Sequence, residues 1–418
     1  MASAHRRAIF HRRLGRLAAS VVILASAAAH AEPEPVAPKT ELGAVPLLGG
    51  DSDIGFGGGA LGSLTWLEPT YQPYRRRLEA GGIATFKHSS EGWDVPYQDY
   101  YLLLTDPHLL RNRLRLDLRP SYTNEANQLY YGIGNATVAP ESGPAGEPAH
   151  DYFQYGRMHP TLLARVRVTL GSGYYALTGM SFTHNRLHIE PRSKLELDAQ
   201  APDGPVRPSF RVLAEHAVAL FEYALVYDTR DDETATRQGA HHQVKLRLSP
   251  GGSAAFPYRY GQFNVMARFY STPVRRWLTL AFRLVGDAQF GDPPFYELAR
   301  YEDTFALGGG KGVRGVPAQR YYGKLKAFAN LEARTELVSF RVGVKDYSLG
   351  LVTFIDGGRV WADWSYAPEL DGTGIGLKWG VGGGLRFQQG TAFVVRGDVA
   401  WSPDARPIGA YFTAGQMF

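Results

Sequence analysis

One stretch of the sequence places a permanently charged arginine among glycines. Residues 307–316 read Leu-Gly-Gly-Gly-Lys-Gly-Val-Arg-Gly-Val, so Arg314 stands between Val313 and Gly315. A guanidinium is a planar fork of donors that suits bidentate pairing with a carboxylate. Glycine has no side chain, so its backbone can lie close to another surface. The stretch is therefore either a flexible loop or a closely packed backbone, and its glycines are Gly308, Gly309, Gly310, Gly312 and Gly315.

Other motifs are weaker candidates for chemistry. Residues 55–60, Gly-Phe-Gly-Gly-Gly-Ala, imitate a dinucleotide fingerprint, but no βαβ pattern surrounds them. His241 and His242 are adjacent, and neighbouring residues of a strand point to opposite faces, which favours a turn or strand start over a metal site. The chain has no cysteine, which excludes disulfides and thiolate metal sites. The sequence therefore predicts no enzyme activity, no cofactor and no metal.

The excess of basic over acidic residues lies at the start of the chain. Arginines at 6, 7, 12, 13 and 16 precede the apolar run 17–29 and the small-residue pattern Ala29-His30-Ala31. This order is typical of a cleaved secretory signal, predicted for residues 1–31, and the run is too short to span a bilayer as a helix. The remainder has 40 basic and 40 acidic residues, so a nucleic-acid partner is not supported.

The signal is followed by a Pro-rich segment without periodicity. We predict a periplasmic tether over residues 32–50 and a transmembrane barrel over residues 51–418. So short a tether leaves no room for a periplasmic domain between the cleavage site and the barrel.

Alternation with period two dominates the rest of the chain. Leu114, Leu116 and Leu118 alternate with charged residues, and the same pattern recurs along the sequence. Such alternation indicates strands with one apolar and one polar face. Many segments exceed ten residues, which membrane-spanning strands need and sandwich strands rarely reach. The prediction is an all-β fold, a transmembrane antiparallel β-barrel; a large secreted β-protein is the alternative.

Fifteen strands are predicted, and bacterial single-chain barrels have even numbers. A sixteenth strand is therefore missing or merged, before residue 52 or within residues 124–151 or 190–211. The predicted strands are 52–67, 76–88, 97–106, 112–123, 152–170, 173–189, 212–228, 240–249, 259–270, 277–289, 322–337, 346–361, 375–388, 391–402 and 407–418.

The last predicted strand ends on an aromatic residue. Phe418 is the final residue of the sequence, and Phe412 lies at an even spacing before it. We expect both side chains on one face of the strand. A final aromatic residue in an amphipathic strand resembles the recognition signal by which bacterial outer-membrane barrels are assembled.

Three features within residues 313–357 resemble one family. They are residues 313–316 (Val-Arg-Gly-Val), 330–332 (Asn-Leu-Glu) and 356–357 (Asp-Gly), and residues 227–231 with Gly239 add a further similarity. Together they resemble the BamA/TamA-type outer-membrane assembly-factor superfamily, also called the bacterial surface antigen family. The resemblance covers at least residues 220–418.

This resemblance implies a sixteen-stranded barrel with a long extracellular loop folded into the lumen. Arg314 would then meet Asp356 on the lumen wall, with Glu332 as the neighbouring acid. Val316 departs from the family, which has Phe or Tyr there, so less aromatic packing is expected at the loop tip. The family's periplasmic POTRA modules have no counterpart in the sequence, which therefore resembles a barrel-only variant. The alternative is an ordinary glycine loop with a solvated arginine.

The implied function is assistance to protein or lipid insertion or translocation at the bacterial outer membrane. Expected partners are outer-membrane lipids, the machinery that inserts the barrel itself, and client proteins or lipids. The alternative is a passive solute channel or a structural barrel, in which lumen charges only select solutes.

Overall fold

A computed structural model describes most of the chain. The described residues are 39–52, 54–68, 71–89, 92–140, 152–201, 215–233, 235–274, 277–300, 307–343, 345–389, 393–404 and 408–418. The predicted signal (residues 1–31) and residues 32–38 of the predicted tether lie outside them.

The described residues form one antiparallel sheet that closes on itself. Strands β6 and β7 occupy one position between β5 and β8, because both pair with those two neighbours. The sheet is therefore a closed barrel with sixteen strand positions, as the sequence predicts. Its strands are β1 Lys39–Asp51, β2 Gly55–Glu68, β3 Tyr71–Ser89, β4 Gly92–His108, β5 Leu114–Leu129, β6 Gln154–Met158, β7 Thr161–Gly171, β8 Tyr174–Ile189, β9 His216–Asp228, β10 Gly239–Pro250, β11 Arg259–Val274, β12 Leu278–Gly291, β13 Leu325–Val342, β14 Lys345–Trp361, β15 Lys378–Gln389, β16 Phe393–Trp401 and β17 Gly409–Ala414.

The helices are short and lie in the connections. They are Leu109–Asn112, Lys194–Gln200, Pro368–Asp371 and the 3₁₀ turn Phe295–Ala299. Within the described part of the chain, no helix has the length and apolar character that crossing a membrane requires.

Each strand separates an apolar outer face from a lumen face. On β12 the large residues at 280, 282 and 284 are exposed, whereas Ala281, Arg283 and Val285 are buried. Exposed apolar side chains on the outside of a closed barrel are what a lipid environment requires. The outer face is therefore the lipid-facing surface of the molecule.

The connections differ in length between the two ends of the barrel. At one end they are short, as between β7 and β8 or between β13 and β14. At the other end they are long, notably residues 130–153, 190–215 and 292–324. Outer-membrane barrels have short periplasmic turns and longer extracellular loops, so the long connections mark the extracellular end.

The predicted boundary between tether and barrel is wrong. Residues 39–50 lie in β1, which pairs with β2 along its whole length, so these residues belong to the barrel. β1 supplies the missing strand, in the first of the three regions where it was expected. The predicted strand 152–170 corresponds to the broken pair β6 and β7.

The first and last strands meet over a short distance. β1 and β17 are paired only at Gly50 with Phe412 and Asp51 with Tyr411, near the extracellular end. By contrast, β1 and β2 pair at thirteen positions. We call this junction the seam. Among the described residues of β1, those from Lys39 to Gly49 have a strand partner on one side only.

The end of the chain leaves the barrel wall. β17 ends at Ala414, and Gly415 has a φ of +88°, a conformation that favours glycine. Phe412 is 38% exposed on the outer face, but Phe418 is 7% exposed and its ring lies 6.4 Å from that of Tyr270 in the lumen. The expectation that Phe412 and Phe418 share one face is therefore wrong, because the strand stops before Phe418. Their role as an assembly signal stays a prediction.

Candidate functional site: the lumen latch

The connection between β12 and β13 carries the glycine-rich stretch into the lumen. We call residues 292–324 the latch loop; the structure describes residues 292–300 and 307–324 of it. Leu307, Val313, Arg314 and Val316 are all fully buried, which only an inward-folded loop allows. The long loop therefore occupies the lumen.

Arg314 is bound by carboxylates from three strands. Its Nε donates to Asp356 Oδ2 at 2.7 Å and its Nη2 to Asp356 Oδ1 at 3.0 Å, a bidentate pair. Nη1 donates to Glu332 Oε1 at 2.6 Å and to Asp398 Oδ2 at 3.1 Å. The side chains are fully buried. The structure thus brings together Arg314, Glu332 and Asp356, and it adds Asp398 of β16.

Three further arginines surround this acidic cluster. Arg334 donates from Nε to Glu332 Oε2 at 2.8 Å. Arg386 pairs with Asp398, and Nη1 of Arg396 lies 3.6 Å from Asp398 Oδ2. Four guanidinium groups thus share three carboxylates in a buried site, an excess of one positive charge, so removal of a carboxylate leaves further buried positive charge without a partner.

The Arg314 guanidinium also lies on an aromatic ring. Its central carbon is 3.3 Å from the centroid of the Phe354 ring on β14, a cation–π contact. Burial lowers the pKa of Arg314, but Asp356 and Glu332 outweigh it and raise the pKa above its ordinary value. The two carboxylates therefore favour the charged form of the Arg314 guanidinium.

The glycines allow the loop backbone to touch the wall. Gly315 has a φ of +91°, and a Cβ there would lie 2.9 Å from the Trp401 carbonyl carbon. Its amide donates to the Tyr411 hydroxyl at 2.9 Å, which ties the loop to β17. Three of the other glycines form the internal turns of the loop: the Gly309 amide donates to the Val316 carbonyl, the Gly312 amide donates to the Gly309 carbonyl, and Gly308 forms a β-bridge with Val313. Two glycine carbonyls accept from side chains of the wall, that of Gly312 from Asn330 Nδ2 and that of Gly310 from Arg396 Nη2.

The wall supplies a matching glycine. A Cβ added at Gly380 of β15 would lie 1.9 Å from the Arg314 carbonyl oxygen. A side chain there would therefore clash with the loop backbone, and no motif in the sequence marks this residue.

Apolar packing accompanies the ion pairs. Val313 and Val316 pack with Leu307, Tyr321 and Phe328 in one buried cluster. Val316 is fully buried within this cluster.

The beginning of the latch loop is fastened to the opposite wall. Arg300 pairs with Glu125 of β5, whose Oε2 also accepts from His159 Nε2 at 3.0 Å. Burial lowers the pKa of Arg300, but Glu125 raises it above its ordinary value. The Tyr296 hydroxyl lies 2.7 Å from His216 Nε2 of β9. The loop is therefore held both at its beginning and at Arg314. The pair of Arg300 and Glu125 was not predicted from the sequence, because neither residue lies in a recognisable motif.

An aromatic cluster fills the extracellular end of the lumen. It joins residues of four connections (130–153, 190–215, the latch loop with its 3₁₀ turn, and 362–377) with one residue of β6. Its members are Tyr130, Ile133, Tyr155, Leu195, Phe295, Tyr296, Leu298, Ala299, Tyr322 and Ala362. We call it the loop cap. Tyr322 donates to the Leu129 carbonyl at 2.9 Å, and the Tyr130 hydroxyl donates to Asp198 at 2.9 Å. Polar groups inside the loop cap are thus satisfied.

No group of three metal-binding side chains occurs among the described residues. His241 and His242, the candidate pair from the sequence, lie at successive positions of β10. Successive strand residues face opposite sides, and the His242 ring packs against Phe269, 4.8 Å away, on the outer face.

These features define a class of protein: an outer-membrane β-barrel whose lumen is occupied by an inward-folded, arginine-anchored loop. A family model described as the Omp85 superfamily domain matches residues 92–418, and the chain belongs to that superfamily. A comparison with curated proteins finds no match.

Solved structures of the same fold include two named proteins. BamA from Haemophilus ducreyi lacking POTRA domains 1–3 has a TM-score of 0.57 and 13% identity, covering 91% of this chain and 70% of that one. CdiB from Escherichia coli has a TM-score of 0.53 and 14% identity, covering 92% and 64%. CdiB from Acinetobacter baumannii has a TM-score of 0.50 and 13% identity, covering 90% and 59%. The chain thus spans less than two thirds of both CdiB chains, and the likeness describes the fold alone.

Proposed function

We propose that this barrel assists the insertion or translocation of protein, or of lipid, at the outer membrane by opening at its seam. The observation that carries the proposal is the pairing of β1 with β17 at two positions, beside a β1–β2 ladder of thirteen. Each missing ladder position removes backbone hydrogen bonds, so the seam is the place where the wall separates most easily. Membership of the Omp85 superfamily supports the same function.

The latch gives the seam a means of control. Tyr411 is a seam residue, paired with Asp51, and its hydroxyl accepts the amide of Gly315 in the latch. Arg334, which binds the latch partner Glu332, also donates to the Phe418 carbonyl at 2.9 Å. The end of the chain is therefore held by the network that holds the loop, and release of the latch would loosen β17.

The passive-channel alternative has less support. The latch loop and the loop cap fill the extracellular half of the lumen with buried side chains. A solute pathway along the barrel axis would require both to move.

A disulfide across the seam tests the proposal, because the chain has no cysteine of its own. Ser52 and Ala410 are small, and the Ser52 amide donates to the Ala410 carbonyl at 3.0 Å. Residues that face each other across antiparallel strands are close enough for a disulfide. The matched control joins Ala44 and Gly62, which are partners within the β1–β2 ladder.

The variants would be expressed in a strain that lacks the gene, and outer-membrane protein and lipid profiles would be compared. We expect that the oxidised Ser52→Cys/Ala410→Cys protein will not correct the altered protein and lipid profile of the deletion strain. Reduction of the disulfide should restore the wild-type profile. The Ala44→Cys/Gly62→Cys protein should restore it in both states. A deletion that changes neither profile would rule the function out.

A further inference from the structure

The outer face of β11 to β13 has a notch near the extracellular end. Along β12 the outward side chains are large as far as Leu284, and then come Gly286 and Ala288. A Cβ added at Gly286 would meet no heavy atom within 4 Å. The floor of the notch therefore lacks side chains where its neighbours have them.

Apolar side chains from the adjacent strands form the walls of the notch. Phe263 and Val265 of β11 stand on one side, and Leu325 and Trp361 stand on the other. Together with the floor they line an open groove of about 520 Å³, a volume within the range of roughly 300–1,000 Å³ that is usual for ligand sites. We call it the lipid-face groove.

A loop forms a fixed roof over the groove. The indole Nε1 of Trp364 donates to the Gln289 carbonyl of β12 at 2.6 Å, and Asp363 accepts from Lys324 Nζ at 3.0 Å. The segment after β14 therefore crosses over the start of β13 to reach β12. Trp364 and Tyr366 remain 59% and 54% exposed although their polar ends are bonded within the protein. Aromatic side chains so placed are typical of the membrane interface.

A cation lies above the groove on the same face. Arg259 begins β11, four residues before Phe263, so both point outward. It is exposed, and its Nε donates to the Gly251 carbonyl at 3.2 Å. Among the described residues, no carboxylate forms an ion pair with it. An arginine at this level suits a phosphate group.

We propose that the lipid-face groove binds an acyl chain of a phosphate-bearing lipid of the outer leaflet, with Arg259 at the phosphate. The groove is continuous with the lipid-facing surface, so acyl chains are what it meets, and its notch and roof hold one chain more closely than the flat wall does. The site is independent of the seam and of the proposed function.

The test measures lipid retained by the full-length protein in detergent, using native mass spectrometry. The probes are a phosphatidylglycerol with two saturated chains and a diacylglycerol with the same chains. Gly286→Leu places a side chain in the notch, where its Cβ meets no heavy atom within 4 Å, and should weaken binding of both probes about tenfold. Arg259→Gln should weaken only the phosphatidylglycerol. Ala333→Leu, at an outward position of β13 away from the groove, should change neither.

Heat-modifiable migration on gels would establish that each variant is a folded barrel. Wild-type binding of both probes by Gly286→Leu would overturn the site. An equal loss in Ala333→Leu would overturn it too, since lipid would then coat the wall without a defined groove. Unchanged phosphatidylglycerol binding by Arg259→Gln would overturn the role of the phosphate contact.

Discussion

At the scale of single residues, Arg314 holds the latch through ion pairs whose side chains are fully buried. Replacement by alanine leaves Asp356 and Glu332 buried beside an empty site, although Arg334 and Arg386 remain. Breaking one partner out of a buried pair costs about 3–5 kcal/mol. We expect Arg314→Ala to lower the urea concentration at the midpoint of unfolding. The midpoint of Arg314→Lys should lie between those of Arg314→Ala and wild type, because an ammonium group cannot pair bidentately with a carboxylate.

The matched control for Arg314 is Arg341→Ala. Arg341 and Asp346 form an exposed pair next to a periplasmic turn, and exposed pairs contribute little. No shift of the urea midpoint is expected there. Equal midpoints for Arg314→Ala and wild type would mean that the lumen site is wet and its ion pairs screened.

Gly380 gives a steric test of the same site. The Cβ of Gly380→Ala would lie 1.9 Å from the Arg314 carbonyl, so loop or wall must move. Overpacking of this kind costs about 1–3 kcal/mol. Gly286→Ala is the control, because a methyl group there meets nothing. Thermal unfolding should show a lower midpoint for Gly380→Ala alone, and matching midpoints would contradict the close packing of loop against wall.

Sequence reasoning reached Arg314, Glu332 and Asp356 only through a local resemblance. Asp398, Arg386 and Gly380 belong to the same site but lie on strands without a motif, and only the closed barrel brings them near the loop. Alternation predicted which strand faces are polar, but it does not determine which polar residue meets which across a lumen.

At the scale of elements, the strand pattern was predicted well except near the chain ends. β1 was read as a tether because Leu47, Leu48 and four glycines or prolines obscure its alternation. β17 was predicted to run to Phe418, but Gly415 turns the chain inward. In both cases tertiary pairing, which no local pattern encodes, determined the boundary.

Tyr411 connects the latch to the seam, which makes the coupling between these elements testable. Tyr411→Phe removes the hydroxyl that holds the Gly315 amide and keeps the ring. In the Ser52→Cys/Ala410→Cys background, we expect trapping by a thiol reagent to be faster, because the seam opens more often. Tyr366→Phe, in an exposed loop, is the control. Equal trapping rates in the double-cysteine protein and in its Tyr411→Phe and Tyr366→Phe derivatives would show that the latch does not control opening of the seam.

At the scale of the whole molecule, the latch loop is anchored on both sides of the lumen. Arg300 fastens its beginning to Glu125 of β5, and Arg314 fastens its later part to β13, β14 and β16. The loop cap closes the extracellular end above it. A barrel arranged in this way is closed along its axis and weak along its seam, which is the reverse of what an open pore requires.

Conductance in planar bilayers tests this arrangement of the whole barrel. We expect the wild-type protein to give no large steady pore, because the latch loop and loop cap fill the lumen. The Arg314→Ala protein should show channel openings more frequently than wild type. The double variant Arg314→Ala/Arg300→Ala should open more frequently than either single variant, because each substitution removes one anchor of the latch loop. Arg341→Ala should behave as wild type. Large, steady, solute-selective pores that Arg314→Ala leaves unchanged would instead indicate a passive channel whose loop does not control it.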